Sequence, residues 1–204
     1  GTMIPGYSML PPDFPAYNPE LKEVQRFDPE LAKSLLAEAG YPEGKDASGT
    51  QLELNMFSNG RELEAEFIQQ QWQQILGIKV NLEHLPTADY YADGPNGPLF
   101  GRRFDMASFA WFTDVLPPCY LYMQAEIPTD ENDWTGVNHT GFELASYDEQ
   151  CSRALAALPG SEDYVEGHKE SQRIFAEQLP AIPLFLHTKL AAIPQQLSSG
   201  LVIV

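Results

Sequence analysis

Basic residues are scarce in this sequence. Lysine and arginine together number 12 against 29 aspartates and glutamates, so the formal net charge is −17 at pH 7. A surface of this sign repels a phosphate backbone, which argues against nucleic-acid binding. The acidic residues are spread along the chain instead of forming a tail, as is typical of a solvated globular surface.

The sequence also lacks a long apolar run and a basic, apolar N-terminal leader. A membrane-spanning helix needs about 20 consecutive apolar residues, so we expect the chain as given to be soluble, with any leader removed or left out of it. Apolar residues still make up 43% of the 204 residues. That is enough for the core of one large domain or two small ones.

Signatures of catalysis and of metal or phosphate binding are missing as well. No glycine-rich phosphate loop or nucleophile elbow is present, and the four histidines include no i, i+4 pair. Two cysteines, Cys119 and Cys151, are too few and too far apart for a zinc motif. They are compatible with two buried thiols or with one disulfide. We therefore expect neither a metal nor a cofactor.

The clearest positive pattern lies between residues 51 and 85. Apolar and polar residues alternate over 51–57 and again over 78–85, and between them 61–76 carries apolar residues at helical spacing. Gly77 is placed to end that helix, because a helix C-terminal cap favours a positive φ. A strand, a helix and a strand with short joints predict a βαβ unit with parallel strands and a right-handed crossover.

The flanking segments predict further elements around this unit. A proline-rich extended lead-in precedes a helix that Asp28 caps and Pro29 begins. An aromatic-rich stretch predicts a buried third strand, and a segment without periodicity predicts a long loop. The predicted ranges are lead-in 1–26, helix 28–40, short helix 86–91, third strand 104–112, helical segment 119–125, loop 127–145, helices 146–158 (capped by Ser146) and 161–179, and a last strand at 180–190.

Several of these segments together resemble the extracellular solute-binding proteins of ABC transporters, family 5, which bind peptides, oligopeptides or nickel. The resemblance rests on segments that occur in the order in which that family has them. These are FDPELA at 27–32, LLAEAGY at 35–41, LGIKV at 76–80, FDM at 104–106, WFTD at 111–114 and EQLPAIPL at 177–184.

The resemblance implies the α/β fold of a periplasmic-binding-protein lobe of type II, with a mixed sheet flanked by helices. It covers nearly this whole chain but only part of the family's length. We therefore expect residues 1–204 to form the third lobe of a larger receptor, with 1–26 as lead-in and 27–197 as lobe core. Residues 198–204 would begin the crossover to the missing lobes.

The same resemblance implies a ligand site at the end of the third strand. In peptide-binding members a Trp-x-x-Asp segment contributes the Asp to the ligand's α-amino group and the Trp to the pocket lining. Here that segment is Trp111, Phe112, Thr113 and Asp114, and we add Trp134 in the long loop as a further ligand contact. Because the family is extracytoplasmic, we also predict a disulfide between Cys119 and Cys151.

We therefore predict a non-enzymatic bacterial transport protein. The chain would be one half of the ligand cleft of a receptor for peptides, with oligosaccharides or other small solutes as alternative ligands. The receptor would act with a membrane permease and would be periplasmic or extracellular, anchored as a lipoprotein through a leader absent from this chain. Two alternatives from other classes are a stand-alone hydrolase that uses Asp114 with a histidine, and a structural interaction domain.

Overall fold

The computed structural model describes residues 3–111 and 117–187. Five strands and six α-helices follow one another along the described chain, with short 3₁₀ turns between them. They are β1 (Met3–Pro5), α1 (Leu21–Val24), α2 (Pro29–Glu38), β2 (Glu53–Ser58), α3 (Glu62–Leu76), β3 (Lys79–His84), α4 (Thr87–Tyr90), β4 (Met106–Ala107), α5 (Ala145–Ala156), α6 (Glu162–Gln178) and β5 (Phe185–His187).

The predicted βαβ unit is confirmed. Strands β2 and β3 are parallel neighbours over their whole length, and α3 returns the chain between them. Gly77 ends α3 with a φ of 70°, and a Cβ at this position would lie 2.4 Å from the carbonyl oxygen of Glu43. Helices α2 and α3 cover one face of the sheet, around a core of Met56, Ala65, Ile78 and Val80. We call residues 42–107 together with α2 the sheet module.

The third strand is shorter and more exposed than the sequence predicts. Only Met106–Ala107 is a strand, parallel to β2, and hydrogen bonds extend the pairing from Asp105 to Ser108. The reason is that β2 ends at Ser58, so no neighbouring strand remains for residues beyond 108. The prediction of a buried strand over 104–112 is therefore wrong for residues 109–111, and residue 112 lies outside the described residues.

Residues 117–179 form a second unit, which we call the helical module. Helices α5 and α6 pack against each other and against the 3₁₀ turn Pro118–Tyr122, around a core that includes Tyr147 and Phe175. A disulfide joins Cys119 in that turn to Cys151 in α5. Ser161, where the sequence predicts this helix to begin, caps α6 by accepting a hydrogen bond from the Tyr164 N–H.

Three helix predictions in this module need correction. Ser146 does not cap α5, which begins one residue earlier at Ala145 after an extended Leu144 without a side-chain cap. The helix ends at Ala156 and not at residue 158. The predicted helical segment 119–125 is divided into two 3₁₀ turns, because the backbone at Met123 is extended.

The first and last described strands pair with each other and not with the main sheet. β1 and β5 form an antiparallel ribbon in which Met3 is opposite His187 and Pro5 is opposite Phe185. The α/β class is confirmed, but the antiparallel pairing lies in this separate ribbon and the three-stranded sheet is wholly parallel. The lead-in contains β1 and the short helix α1, neither of which the sequence predicts. Residues 188–190 of the predicted last strand lie outside the described residues.

The lead-in packs against α6. Leu10 and Ala16 are buried, and Gln172 of α6 binds three different lead-in residues. Its amide nitrogen donates to the Ala16 carbonyl at 2.7 Å, and its amide oxygen accepts from the Ser8 hydroxyl at 3.0 Å. Within residues 3–111 and 117–187, no helix has the length and apolar character of a membrane span.

Candidate functional site

The carboxyl ends of the three parallel strands meet at one edge of the sheet, where ligands of open α/β folds commonly bind. Just below this edge, polar groups of Ser58, Tyr90 and Ser108 form hydrogen bonds with one another. The hydroxyls of Ser58 and Ser108 lie 3.2 Å apart, and the Tyr90 hydroxyl donates to the Ser108 carbonyl at 2.5 Å. Burial raises the pKa of Tyr90 well above its usual value. The strand ends are therefore fixed in place.

Two exposed aromatic side chains stand directly after the end of β4. Phe109 and Trp111 keep 38% and 39% of their surface open to solvent, and their ring centres are 5.6 Å apart with the planes tilted by 36°. We call this pair the aromatic shelf. Large apolar groups that stay exposed side by side at a sheet end are typical of a ligand-contact surface.

A buried histidine lies behind the shelf. The His139 ring meets Phe109 edge to face at 5.0 Å and Phe100 at 4.8 Å, and only 9% of the residue is exposed. Its Nε2 atom is enclosed and has no hydrogen-bond partner. Burial, with a smaller effect of the Arg102 charge, lowers the pKa of His139 to about 4. The imidazole is therefore uncharged at neutral pH.

The chain segments that carry this histidine are tightly anchored. The side-chain amide of Asn138 donates to the carbonyls of Met123 and Phe142, and the Asn138 backbone N–H donates to Glu126. Arg102 donates to the Pro128 carbonyl at 3.1 Å and so ties the segment before β4 to the long loop. The Asn138 bonds hold the loop within the helical module, and the Arg102 bond connects that module to the sheet module.

The sequence-predicted site residues have different positions in the structure. Trp111 lies in the shelf, at the strand end where it was expected. Phe112 and Asp114 lie outside the described residues. Trp134 occupies a turn with a φ of 58°, where its indole N–H donates to Asp130 at 2.8 Å, and among the described aromatic pairs it does not contact the shelf.

Sequence reasoning missed two residues of this arrangement. The strand predicted over 104–112 includes Phe109 as a buried residue, although its i, i+2 spacing from Trp111 indicates a shared face. His139 is one of four histidines without metal-binding spacing, and no periodic signal marks it as a partner of Phe109. No group of three or more His, Cys, Asp or Glu side chains suited to a metal ion occurs among the residues that the structure describes.

Three curated relatives each match 86% of this chain. One is the heme-binding protein A of Haemophilus influenzae, 29% identical over 176 residues. Another is the dipeptide-binding protein of Pseudomonas aeruginosa, 27% identical over 180 residues. The matched part is 30% of the first relative and 31% of the second. The chain thus spans about a third of the length of these relatives.

A solved structure also matches most of this chain with only about a third of its own length. The oligopeptide binding protein from Thermus thermophilus, complexed with a pentapeptide, matches with a TM-score of 0.77 and 26% identity. The match covers 92% of this chain and 34% of that one, so the predicted lobe of a periplasmic binding fold is confirmed.

The family model of "Bacterial extracellular solute-binding proteins, family 5 Middle" matches residues 1–133. Proteins of this family are solute-binding components of ABC transport systems and not enzymes, which confirms the prediction of a non-catalytic protein and argues against the hydrolase alternative. The chain belongs to the bacterial extracellular solute-binding proteins of family 5.

Proposed function

We propose that this chain forms one wall of the ligand cleft of an extracytoplasmic receptor for peptides. The observation that carries the proposal is the aromatic shelf, two exposed rings at the carboxyl end of a parallel sheet. The relatives named for dipeptide and oligopeptide binding add support, as does the fact that this chain corresponds to a third of their length. The receptor would deliver its ligand to the membrane permease of an ABC transporter and would be held at the membrane by a leader.

The opposing wall of the cleft would come from the rest of the receptor. Several apolar side chains near the β1/β5 ribbon are about half exposed and are suited to contact with further lobes. They are Met3, Ile4, Val24, Ile182 and Leu184. We assign residues 27–197 to the lobe core and 198–204 to the start of a crossover.

Within this site we assign Asp114 to the ligand's α-ammonium group, on the basis of its Trp-x-x-Asp spacing from Trp111. A carboxylate beside aromatic rings gives a charge-assisted hydrogen bond in a partly dry site. We assign Phe112 to the pocket lining next to the shelf. Trp134 is the weakest assignment, because its indole N–H is already bonded to Asp130.

Calorimetry on the complete receptor tests the proposal. Peptides with a free amino terminus should bind at micromolar affinity or tighter. Asp114→Asn should weaken the binding of these peptides by roughly 2–5 kcal/mol, as is usual when one partner of a desolvated charge pair is removed. Peptides with an acetylated amino terminus should respond little to the same change. Asp163→Asn, on the exposed first turn of α6, is the matched control and should leave both peptides unaffected.

Equal losses for free and acetylated peptides would contradict the role of Asp114. Haem is the competing ligand, because one relative carries that name. A receptor that binds hemin and no peptide would overturn the peptide assignment. The Nε2 atom of His139 behind the shelf is enclosed, so this histidine does not offer a ligand for a haem iron in this arrangement.

The 204-residue chain alone should bind the same peptides poorly. One wall leaves the ligand's other side in water, and an exposed ion pair contributes only about 0–1 kcal/mol. Micromolar binding requires about 8 kcal/mol. Micromolar or tighter binding by this chain would show that its site is complete and that the half-cleft assignment is wrong.

A further inference from the structure

We propose that His139 is a positioning residue for the aromatic shelf, and that the shelf selects an apolar or aromatic side chain of the bound ligand. The proposal rests on the proposed function, because it specifies which part of a peptide the wall recognises. It goes further by giving a role to two residues, Phe109 and His139, that the Trp-x-x-Asp segment does not include.

The first step is the contact between the rings. His139 meets Phe109 edge to face with an interplanar angle of 81°, and it meets Phe100 in the same manner at 76°. Aromatic rings prefer this arrangement because the positive edge of one lies against the negative face of another. Phe109 is thus held from behind while more than a third of its surface faces solvent.

The second step is that the histidine itself cannot easily move. About nine-tenths of His139 is buried. The side-chain amide of the neighbouring Asn138 is fixed by hydrogen bonds to the carbonyls of Met123 and Phe142. An enclosed Nε2 atom without a partner is unfavourable for stability, since a buried polar group that loses water usually needs a hydrogen bond. A feature that is unfavourable for folding and that supports an exposed ring pair is typical of a functional site.

The third step concerns the ligand group. The exposed surface of the shelf consists of ring atoms from Phe109 and Trp111, and the ring behind it is uncharged at neutral pH. Such a surface favours an apolar or aromatic group. A ring that is held in place before binding strengthens the binding of the ligand, because less conformational freedom is lost when the complex forms. An aromatic contact of this kind corresponds to a preference of about three- to tenfold.

The test uses the complete receptor and a set of tripeptides in which phenylalanine replaces one alanine of Ala-Ala-Ala at a time. The wild type should bind at least one phenylalanine peptide more tightly than Ala-Ala-Ala. Phe109→Ala and His139→Ala should each reduce this preference, measured as the ratio of the affinities for the phenylalanine peptide and for Ala-Ala-Ala, about three- to tenfold. His139→Phe should keep the preference, because it restores an aromatic edge behind Phe109.

The helical module offers a matched control. His168 is buried to 1% exposure, has an enclosed Nε2 atom without a partner, and packs edge to face on Tyr164, yet it does not contact the shelf. His168→Ala should therefore lower stability and keep the preference. If His139→Ala does not fold, His139→Leu fills the space without an aromatic edge and should also lose the preference.

An unchanged preference in folded His139→Ala or His139→Leu, or an equal loss in His168→Ala, would overturn the positioning role. A receptor that binds tripeptides without any preference for phenylalanine would overturn the role of the shelf and leave the proposed function intact. Failure to bind any peptide would overturn the proposed function and this inference with it.

Discussion

The sheet module and the helical module are stabilised in different ways. In the sheet module, two helices bury apolar side chains on one face of three parallel strands. The opposite face carries exposed polar pairs, such as Lys79 with Glu53 at 2.8 Å and Asn55 with Asp105. The helical module contains a disulfide and several buried polar side chains that bond to distant backbone groups.

The difference shows what each region requires of its sequence. The sheet module needs a repeating pattern of apolar residues, and many substitutions that keep the pattern should be tolerated. The helical module needs particular residues at particular positions, because a buried polar group without its partner is strongly destabilising. Substitutions in the helical module therefore offer the sharpest tests of this contrast.

The largest effect should come from the disulfide between Cys119 and Cys151, which encloses a sequence separation of 32 residues. In the chain-entropy treatment, closing a loop of this size stabilises the folded protein by about 3–4 kcal/mol. The double variant Cys119→Ser/Cys151→Ser should lose stability of that order in urea unfolding. Wild-type protein in dithiothreitol should lose about as much.

The double variant is the control for the reductant, since dithiothreitol should not change its unfolding. Amide exchange in β2 and β3 of the sheet module should change less than exchange in α5. Two reactive thiols in the denatured, unreduced wild type would show that the disulfide does not form. Equal loss of protection in both modules would break the contrast between them.

A smaller effect is expected from Gln172→Leu. The glutamine side chain accepts from the Ser8 hydroxyl and the Asn18 N–H, and it donates to the carbonyls of Ala16 and His168. A leucine would remove the acceptor of the Ser8 hydroxyl and the side-chain donor to the Ala16 carbonyl, and a buried polar group left without its partner costs about 1–3 kcal/mol. Gln178→Leu, at the exposed end of the same helix, should stay within about 0.5 kcal/mol. Equal effects of the two changes on the urea midpoint would contradict the role of Gln172.

The smallest effect concerns pH. Burial lowers the pKa of both His139 and His168 to about 4, whereas an unfolded histidine titrates near a pKa of about 6.5. The unfolded chain therefore binds protons that the folded chain does not, and stability falls as the pH drops below about 6.5 toward 4. Between pH 7 and pH 6 the loss should be about 1 kcal/mol for the two together.

Urea unfolding at the two pH values measures this loss. The variant His139→Leu/His168→Leu carries neither imidazole, and its stability should differ much less between pH 7 and pH 6. A wild type with the same stability at both values would show that the two histidines are hydrated in solution. A rise in stability on acidification would contradict the predicted direction of the pKa shifts.

The same contrast explains which parts of the structure the sequence predicts. The βαβ unit follows from periodicity and from local signals such as Gly77 and the Asp28 cap, which accepts from the Leu31 N–H at 3.0 Å. These signals act within a few residues, and the helix and strand bounds of this unit are predicted to within about two residues. Ser161 at the start of α6 is a local signal of the same kind.

The remaining features depend on contacts between distant residues. The length of β4 is set by the end of β2, about 50 residues earlier, and not by its own aromatic residues. The pairing of β1 with β5 joins the two ends of the described chain. The candidate site was found in part, since Trp111 is recognisable by its motif, whereas Phe109 and His139 meet only through folding.

The β1/β5 ribbon has a mechanical consequence. Met3 and His187 are opposite each other at one end of its described part, and the pairing continues from there to Pro5 and Phe185. A force that pulls Met3 and His187 apart acts on one hydrogen bond of the ribbon at a time and not on all of them together in shear. The ribbon should therefore open under a small load while the sheet module stays folded.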